Sequence, residues 1–245
     1  MKTVIIVQAR MTSTRLPGKV MKEVMGKSLL EYQIERLRRV NLVDEIVVAT
    51  TTNSTDQPIV DLCGRLKVSC FRGSENDVLA RYYEAATMFG ADVVARVTSD
   101  CPVIDPTVVT QVIRYCQDHQ DSYDYVSNGL LRTYPRGMDV EVFSYRALRE
   151  AYIEATDEPE REHVTPFIYR RPKRYRLANV AFRENMSHHR WTVDTPDDFD
   201  LVRRIIEALY PVNKEFTLDD ILDLLDAHPE WVKINAHVEQ KKLGQ

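Results

Sequence analysis

Three cations share one short stretch of this chain: Arg10, Arg15 and Lys19, within Gln8-Ala9-Arg10-Met11-Thr12-Ser13-Thr14-Arg15-Leu16-Pro17-Gly18-Lys19. The stretch follows directly on the apolar run Thr3–Val7. A core does not need two arginines, a lysine, hydroxyls and a Pro-Gly turn at the end of a buried strand, whereas a polyphosphate does. Arginine grips oxyanions with a two-pronged fork, lysine adds a point charge, and turn amides complete the cradle. The loop is neither G-x-x-x-x-G-K-[ST] nor G-x-G-x-x-G, because Gly18 is its only glycine. The cations therefore come from side chains spaced along an extended loop, with Ser13 and Thr14 as further donors. A second chemical group is Arg96-Val97-Thr98-Ser99-Asp100-Cys101-Pro102, where Asp100 ends an apolar run. A carboxylate there can hold Mg²⁺, which takes one or two carboxylates plus phosphates and water, or it can cap a turn. The third is Trp191-Thr192-Val193-Asp194-Thr195-Pro196-Asp197-Asp198, which also reads as a helix start, with proline at the first position and acids in the first turn.

Strand and helix patterns alternate around these groups. Thr3–Val7, Glu45–Thr50, Val68–Phe71 and Asp92–Val97 read as strands. Ser28–Val40, Gln57–Leu66, Asn76–Phe89 and a segment capped by Asp105 with Pro106 at its first position read as helices. Such alternation predicts a mostly parallel sheet with helices on both faces and ligands beyond the carboxyl ends of its strands. Past residue 120 the rhythm changes. Tyr123–Val126, Met138–Phe143, Tyr175–Val180 and Arg190–Val193 are expected as strands, some antiparallel, around a polar helical stretch Asp157–Tyr169. Helices over Asp197–Leu209 and Leu218–Asp226 close the chain, and Glu239–Gln245 is expected to fray. The expectation is one domain over residues 1–245: a nucleotide-binding core (1–120), a distal acceptor and dimer subregion (121–195) and C-terminal helices (196–245).

Ala-Arg-x-x-Ser-x-Arg-Leu-Pro-Gly-Lys after an N-terminal strand resembles the signature loop of the sugar-acid cytidylyltransferases, the CMP-KDO and CMP-acylneuraminate synthetases. Over essentially the whole chain the resemblance is to the spore coat polysaccharide biosynthesis protein F type of that superfamily. It implies an α/β fold: a Rossmann-like nucleotidyltransferase, GT-A-like three-layer α/β/α sandwich with a small distal β-containing subregion. It implies transfer of CMP from CTP to a sugar or sugar acid with release of pyrophosphate. Ala9, Arg10, Ser13, Arg15 and Lys19 would then bind the nucleotide. By the same resemblance Asp100 and Asp194 are the metal carboxylates, with Mg²⁺ as cofactor, and Arg72 and Ser74 lie near the cytosine. Arg136, Asp139, Glu141 and His163 are candidates for the acceptor site. Period two would place Asp139 and Glu141 on one strand face, where paired carboxylates want a cation or a hydroxylated ligand. The resemblance also implies a homodimer.

Composition narrows the alternatives. A net charge of -4 argues against a general nucleic-acid binder. The N-terminal apolar run is short for a signal segment, and no run approaches membrane-spanning length, so a cytoplasmic protein is expected. Cys63, Cys70, Cys101 and Cys116 show no metal spacing and read as reduced thiols. His188 and His189 read as surface residues. Two rival functions remain at this stage. A glycosyltransferase of related fold would carry D-x-D where this chain has Ser99-Asp100-Cys101. A silent nucleotide-binding subunit would not need both carboxylates. Before nucleotide binds, the loop cations are expected to repel one another and leave the loop either mobile or holding an anion.

Overall fold

The computed structural model describes residues 1–240, so the expected frayed tail lies from residue 241 onward outside the described residues. The chain builds β1 (Thr3–Gln8), a hairpin of β2 (Glu23–Val24) and β3 (Lys27–Ser28), α1 (Leu29–Leu37), β4 (Glu45–Thr51), α2 (Gln57–Leu66), β5 (Ser69–Gly73), α3 (Val78–Met88), β6 (Val93–Thr98) and α4 (Pro106–Asp118). The distal part adds β7 (Tyr125–Ser127), β8 (Glu141–Ser144), α5 (Tyr145–Glu154), α6 (Glu158–His163), α7 (Pro166–Tyr169) and β9 (Leu177–Asn179). Helices α8 (Pro196–Leu209) and α9 (Leu218–Ala227) follow.

One seven-stranded sheet runs β5-β4-β1-β6-β8-β7-β9. β1 pairs in parallel with β4 on one side and β6 on the other. β8 is antiparallel to both β6 and β7, and β9 returns parallel to β7. The alternation of strand side chains sends Ile5 and Val7 into one apolar layer and Val4 and Ile6 into the other. The result is the Rossmann-like three-layer arrangement, with helices on both faces of a mostly parallel sheet. Because the chain leaves β1 first toward β4 and later toward β6, a crevice opens at the carboxyl end of β1. The cationic loop and the turn carrying Asp100 leave the sheet at that crevice.

Two expected elements differ. Arg190–Val193 is no strand but an extended segment touching the Arg136 backbone through a single bridge. The Trp191 amide donates to the Arg136 carbonyl at 2.7 Å, and the Val193 amide donates to the Asp100 carbonyl at 2.8 Å. Its apolar alternation reflects burial between loops, not a ladder. Asp157–Tyr169 is two short helices, because Val164 takes φ 73 and the next helix starts at Pro166. A positive φ at a β-branched residue ends a helix.

Candidate active site

The loop after β1 is closed by its own turn. Gly18 sits at φ 68, a conformation glycine adopts freely, and its amide donates to the Met11 carbonyl at 2.8 Å. The loop is also fastened from outside. Buried Asp56 accepts the Met11 amide at 2.8 Å, the Thr51 hydroxyl at 2.6 Å and the Thr50 hydroxyl at 3.0 Å. Burial pushes the Asp56 carboxyl up, but these hydrogen bonds outweigh it and hold the group below its ordinary range. Glu75 accepts from the Thr12 hydroxyl and lies 3.8 Å from Arg10.

The expected repulsion among the loop cations does not arise, because each cation faces a carboxylate. Lys19, buried to 8% exposure, donates to Asp194 at 2.8 Å and to Asp100 at 3.2 Å. Arg15 lies 2.8 Å from the other Asp194 oxygen. One ammonium thus joins two carboxylates that come from opposite ends of the chain. Burial pushes the Asp100 carboxyl up, but the Lys19 charge, with hydrogen bonding, overrides this and holds it down at about 2. The Cys101 thiol donates to Asp100 at 3.5 Å and is itself pushed well up by burial, which fits an unreactive thiol.

Asp194 does not cap the following helix. Thr195 is the N-cap and forms a capping box with Asp198. Asp198, fully buried, also accepts Arg190 at 2.9 and 3.1 Å, the Asn235 amide group at 2.8 Å, and the Asp194 and Thr195 backbone amides. Arg190 in turn donates to Asp194 at 2.7 Å. Three carboxylates and three cations therefore interlock. Sequence reasoning assigns Asp198 a helix-start role, which the capping box bears out, but no such role to Arg190; the only signal of their link to Asp194 was a spacing of four residues on either side of it.

The structure places the remaining candidates as follows. Ala9 is buried, and its amide extends the β1 ladder to the Ala49 carbonyl. Ser13 is partly exposed on the loop. Arg72 is committed to the Thr51 and Asn53 carbonyls at 3.0 and 2.9 Å, and Ser74 accepts the Asp77 amide at 3.1 Å. Asp139 and Glu141 do not form a bare pair on one strand face, because β8 begins only at Glu141. Asp139 takes Arg132 and the Gly137 amide. Glu141 takes Arg96, the Tyr125 hydroxyl at 2.6 Å and the Thr165 hydroxyl at 2.6 Å. His163 is partly exposed, 3.8 Å from Glu162. Arg136 is half-buried and has no carboxylate partner among the described residues. Next to it Gly137 passes so close to Trp191 that an added Cβ would lie 2.7 Å from the Trp191 carbonyl carbon.

His189 corrects the surface reading: it is buried against Trp191, their ring centroids 5.5 Å apart, while His188 is exposed. Burial, followed by the neighbouring His188, pulls the His189 imidazole down to about 4 from an ordinary 6.5. A neutral folded-state histidine contributes stability that is complete above pH 6.5 and is lost as pH falls toward 4. The loss should reach about 2–3 kcal/mol. Urea denaturation of His189→Gln across this window should show a shallower acid slope than the parent. Identical slopes would place the titration elsewhere.

Among the described residues no three carboxylate, imidazole or thiolate groups are placed to hold one metal ion. Asp100 and Asp194 do converge, with an ammonium already bridging them. Two carboxylates fit an ion that completes its octahedron with phosphate and water oxygens.

Known proteins resemble this chain in sequence and fold. The family model described as cytidylyltransferase matches residues 4–225. The chain belongs to the cytidylyltransferase family. It is accordingly a CTP-dependent nucleotidyltransferase. A solved cytidylyltransferase from Leptospira borgpetersenii serovar Hardjo-bovis superposes with a TM-score of 0.91 at 30% identity, covering 99% of this chain and 100% of that one. An uncharacterised protein of Methanocaldococcus jannaschii is 36% identical over 98% of this chain and 97% of its own length. The spore coat polysaccharide biosynthesis protein SpsF of Bacillus subtilis is 29% identical over 92% of this chain and 94% of its own. In this cytidylyltransferase the sequence-stretch Arg10–Lys19 and the Asp100–Asp194 pair face the same crevice.

Proposed function

We propose that this cytidylyltransferase joins CMP from CTP to a hydroxyl of a sugar or sugar acid and releases pyrophosphate. The convergence of Asp100 and Asp194 on Lys19, beside the cationic loop, carries the reading. The cluster of Lys19, Arg15 and Arg190 with Asp100, Asp194 and Asp198 is balanced in charge. When a triphosphate enters, Lys19 and Arg15 exchange carboxylate oxygens for phosphate oxygens, and Arg10 leaves Glu75 for the same purpose. Asp100 and Asp194, released from Lys19, would hold Mg²⁺, which when bound screens the phosphate charge and polarises the α-phosphorus. Arg190 stays on Asp198 and keeps Asp194 aimed. The acceptor oxygen bonds to the α-phosphorus in line as the bond to the bridging oxygen of pyrophosphate breaks, and the hydroxyl proton passes to solvent water. The chain's contribution is positioning and fixed charge.

This reading assigns Arg136 to the acceptor. Among the described residues it has no carboxylate partner, and its backbone adjoins that of Arg190, which suits a sugar carboxylate. Arg136→Ala should raise the acceptor KM roughly 10- to 100-fold, the cost of one charged hydrogen bond, and leave CTP affinity unchanged. Equal loss of CTP binding would move Arg136 to the nucleotide subsite. We further read the protein as a cytoplasmic homodimer serving polysaccharide synthesis. A sedimentation profile of a monomer at working concentration would remove the dimer.

A pyrophosphate-release screen with CTP against sugar acids and amino sugars tests the reaction. At least one acceptor should yield pyrophosphate and a CMP-conjugate in equal amounts. Turnover of a nucleotide-sugar without pyrophosphate would favour glycosyl transfer instead.

A further inference from the structure

Away from the triphosphate centre, a cleft of about 240 Å³ opens between α1, the turn after Asp100 and the α8–α9 connection. Its walls include Arg36, Arg39, Pro102, Ile206, Tyr210 and Phe216. Arg36 is 3% exposed. One edge of its guanidinium is used: Nε donates to the Ile104 carbonyl at 2.6 Å and Nη2 to the Phe216 carbonyl at 2.8 Å. The Phe216 ring lies 4.1 Å below it. The other edge is bare. Arg36 Nη1 and Arg39 Nη2 are both shielded from water and have no hydrogen-bond partner among the described residues. The two arginines stand one helical turn apart, where like charges repel. Burial, and then the Arg39 charge, pull the Arg36 guanidinium below its ordinary range.

Asp105, Asp220 and Glu35 offset part of the Arg36 charge from a distance, but none of them hydrogen-bonds to it. Asp105 spends its oxygens on the Thr107 and Leu218 amides. Asp220 accepts the Thr217 amide and hydroxyl. Glu35 holds Lys27 and the Tyr210 hydroxyl. Glu215 stands exposed at the rim beside Lys214. One unpartnered guanidinium nitrogen from each of two arginines that line an apolar-walled cleft suits a planar or tetrahedral oxyanion. We propose that this cleft is a second ligand site, which binds the carboxylate or phosphate head of a small organic anion and seats its apolar face on Phe216, Ile206 and Pro102. The site adjoins the Asp100 turn through Pro102 and the Arg36–Ile104 hydrogen bond, and it does not depend on the reaction proposed above.

Calorimetric melting of the full chain tests it, with benzoate and phenyl phosphate as probes and sodium chloride at matched ionic strength as reference. At ten times its Kd a probe should raise the melting temperature by roughly 3–5 °C. Arg39→Gln, a change at a partly exposed position, should abolish the rise. Arg15→Ala, which weakens the triphosphate centre, should leave it intact. Whichever probe gives the larger rise identifies the head group as carboxylate or phosphate. A rise equal to that in chloride, retained in Arg39→Gln, or lost in Arg15→Ala would overturn the second site.

Discussion

Asp100→Asn should lower the rate of pyrophosphate release at least about a thousandfold while shifting the melting temperature by no more than about 3 °C. The substitution keeps shape and removes one charge from the point where the triphosphate must be held. Loss of a fixed electrostatic contact at a phosphoryl centre costs about 10²–10³ in rate, and a metal ligand adds to that. Folding suffers little, because Lys19 retains its closer partner Asp194 at 2.8 Å. A variant that keeps a tenth of the parent rate would remove Asp100 from the mechanism.

The largest loss of stability is expected one shell away. Asp198→Ala strips a fully buried carboxylate from Arg190, the Asn235 side chain and two backbone amides, and it breaks the capping box of α8. Breaking a buried pair by removing one partner costs about 3–5 kcal/mol, or roughly 10 °C in a chain of this size. Turnover should also fall, because Arg190 would no longer hold Asp194 in place. Asp197→Ala is the control: its side chain is 51% exposed with His237 at 3.1 Å, and it should melt like the parent. Calorimetry on both variants reads the contrast. Equal melting temperatures for the two would mean that the Asp198 network contributes no net stability.

That contrast also marks how far the sequence carries. Asp197 and Asp198 look alike as first-turn acids, and only the fold shows that one faces solvent and the other a buried guanidinium. The β-α alternation and the cationic loop after β1 were legible, because period-two and period-3.6 patterns and a cluster of cations are local signals. The meeting of Asp100 with Asp194 was reachable only through resemblance, because a long-range contact leaves no local pattern. The Arg190–Val193 segment misled by its apolar character, which comes from burial between the Arg136 and Asp100 loops instead of strand pairing. Asp139 and Glu141 misled through register. Their spacing suggested one face, yet each is neutralised by its own arginine, Arg132 and Arg96. Val164 hides a helix break that no proline or glycine announces at that position.

The central claim is that Asp100 and Asp194 trade the Lys19 ammonium for a divalent ion carried in with CTP. Calorimetric titration of CTP, with Mg²⁺ and with chelator, tests it directly. The parent chain should bind CTP at least about tenfold tighter with Mg²⁺, the equivalent of 1.4 kcal/mol. Asp100→Asn and Asp194→Asn should each lose that enhancement while binding CTP in chelator no more weakly than the parent. An enhancement that survives in both variants would contradict the account.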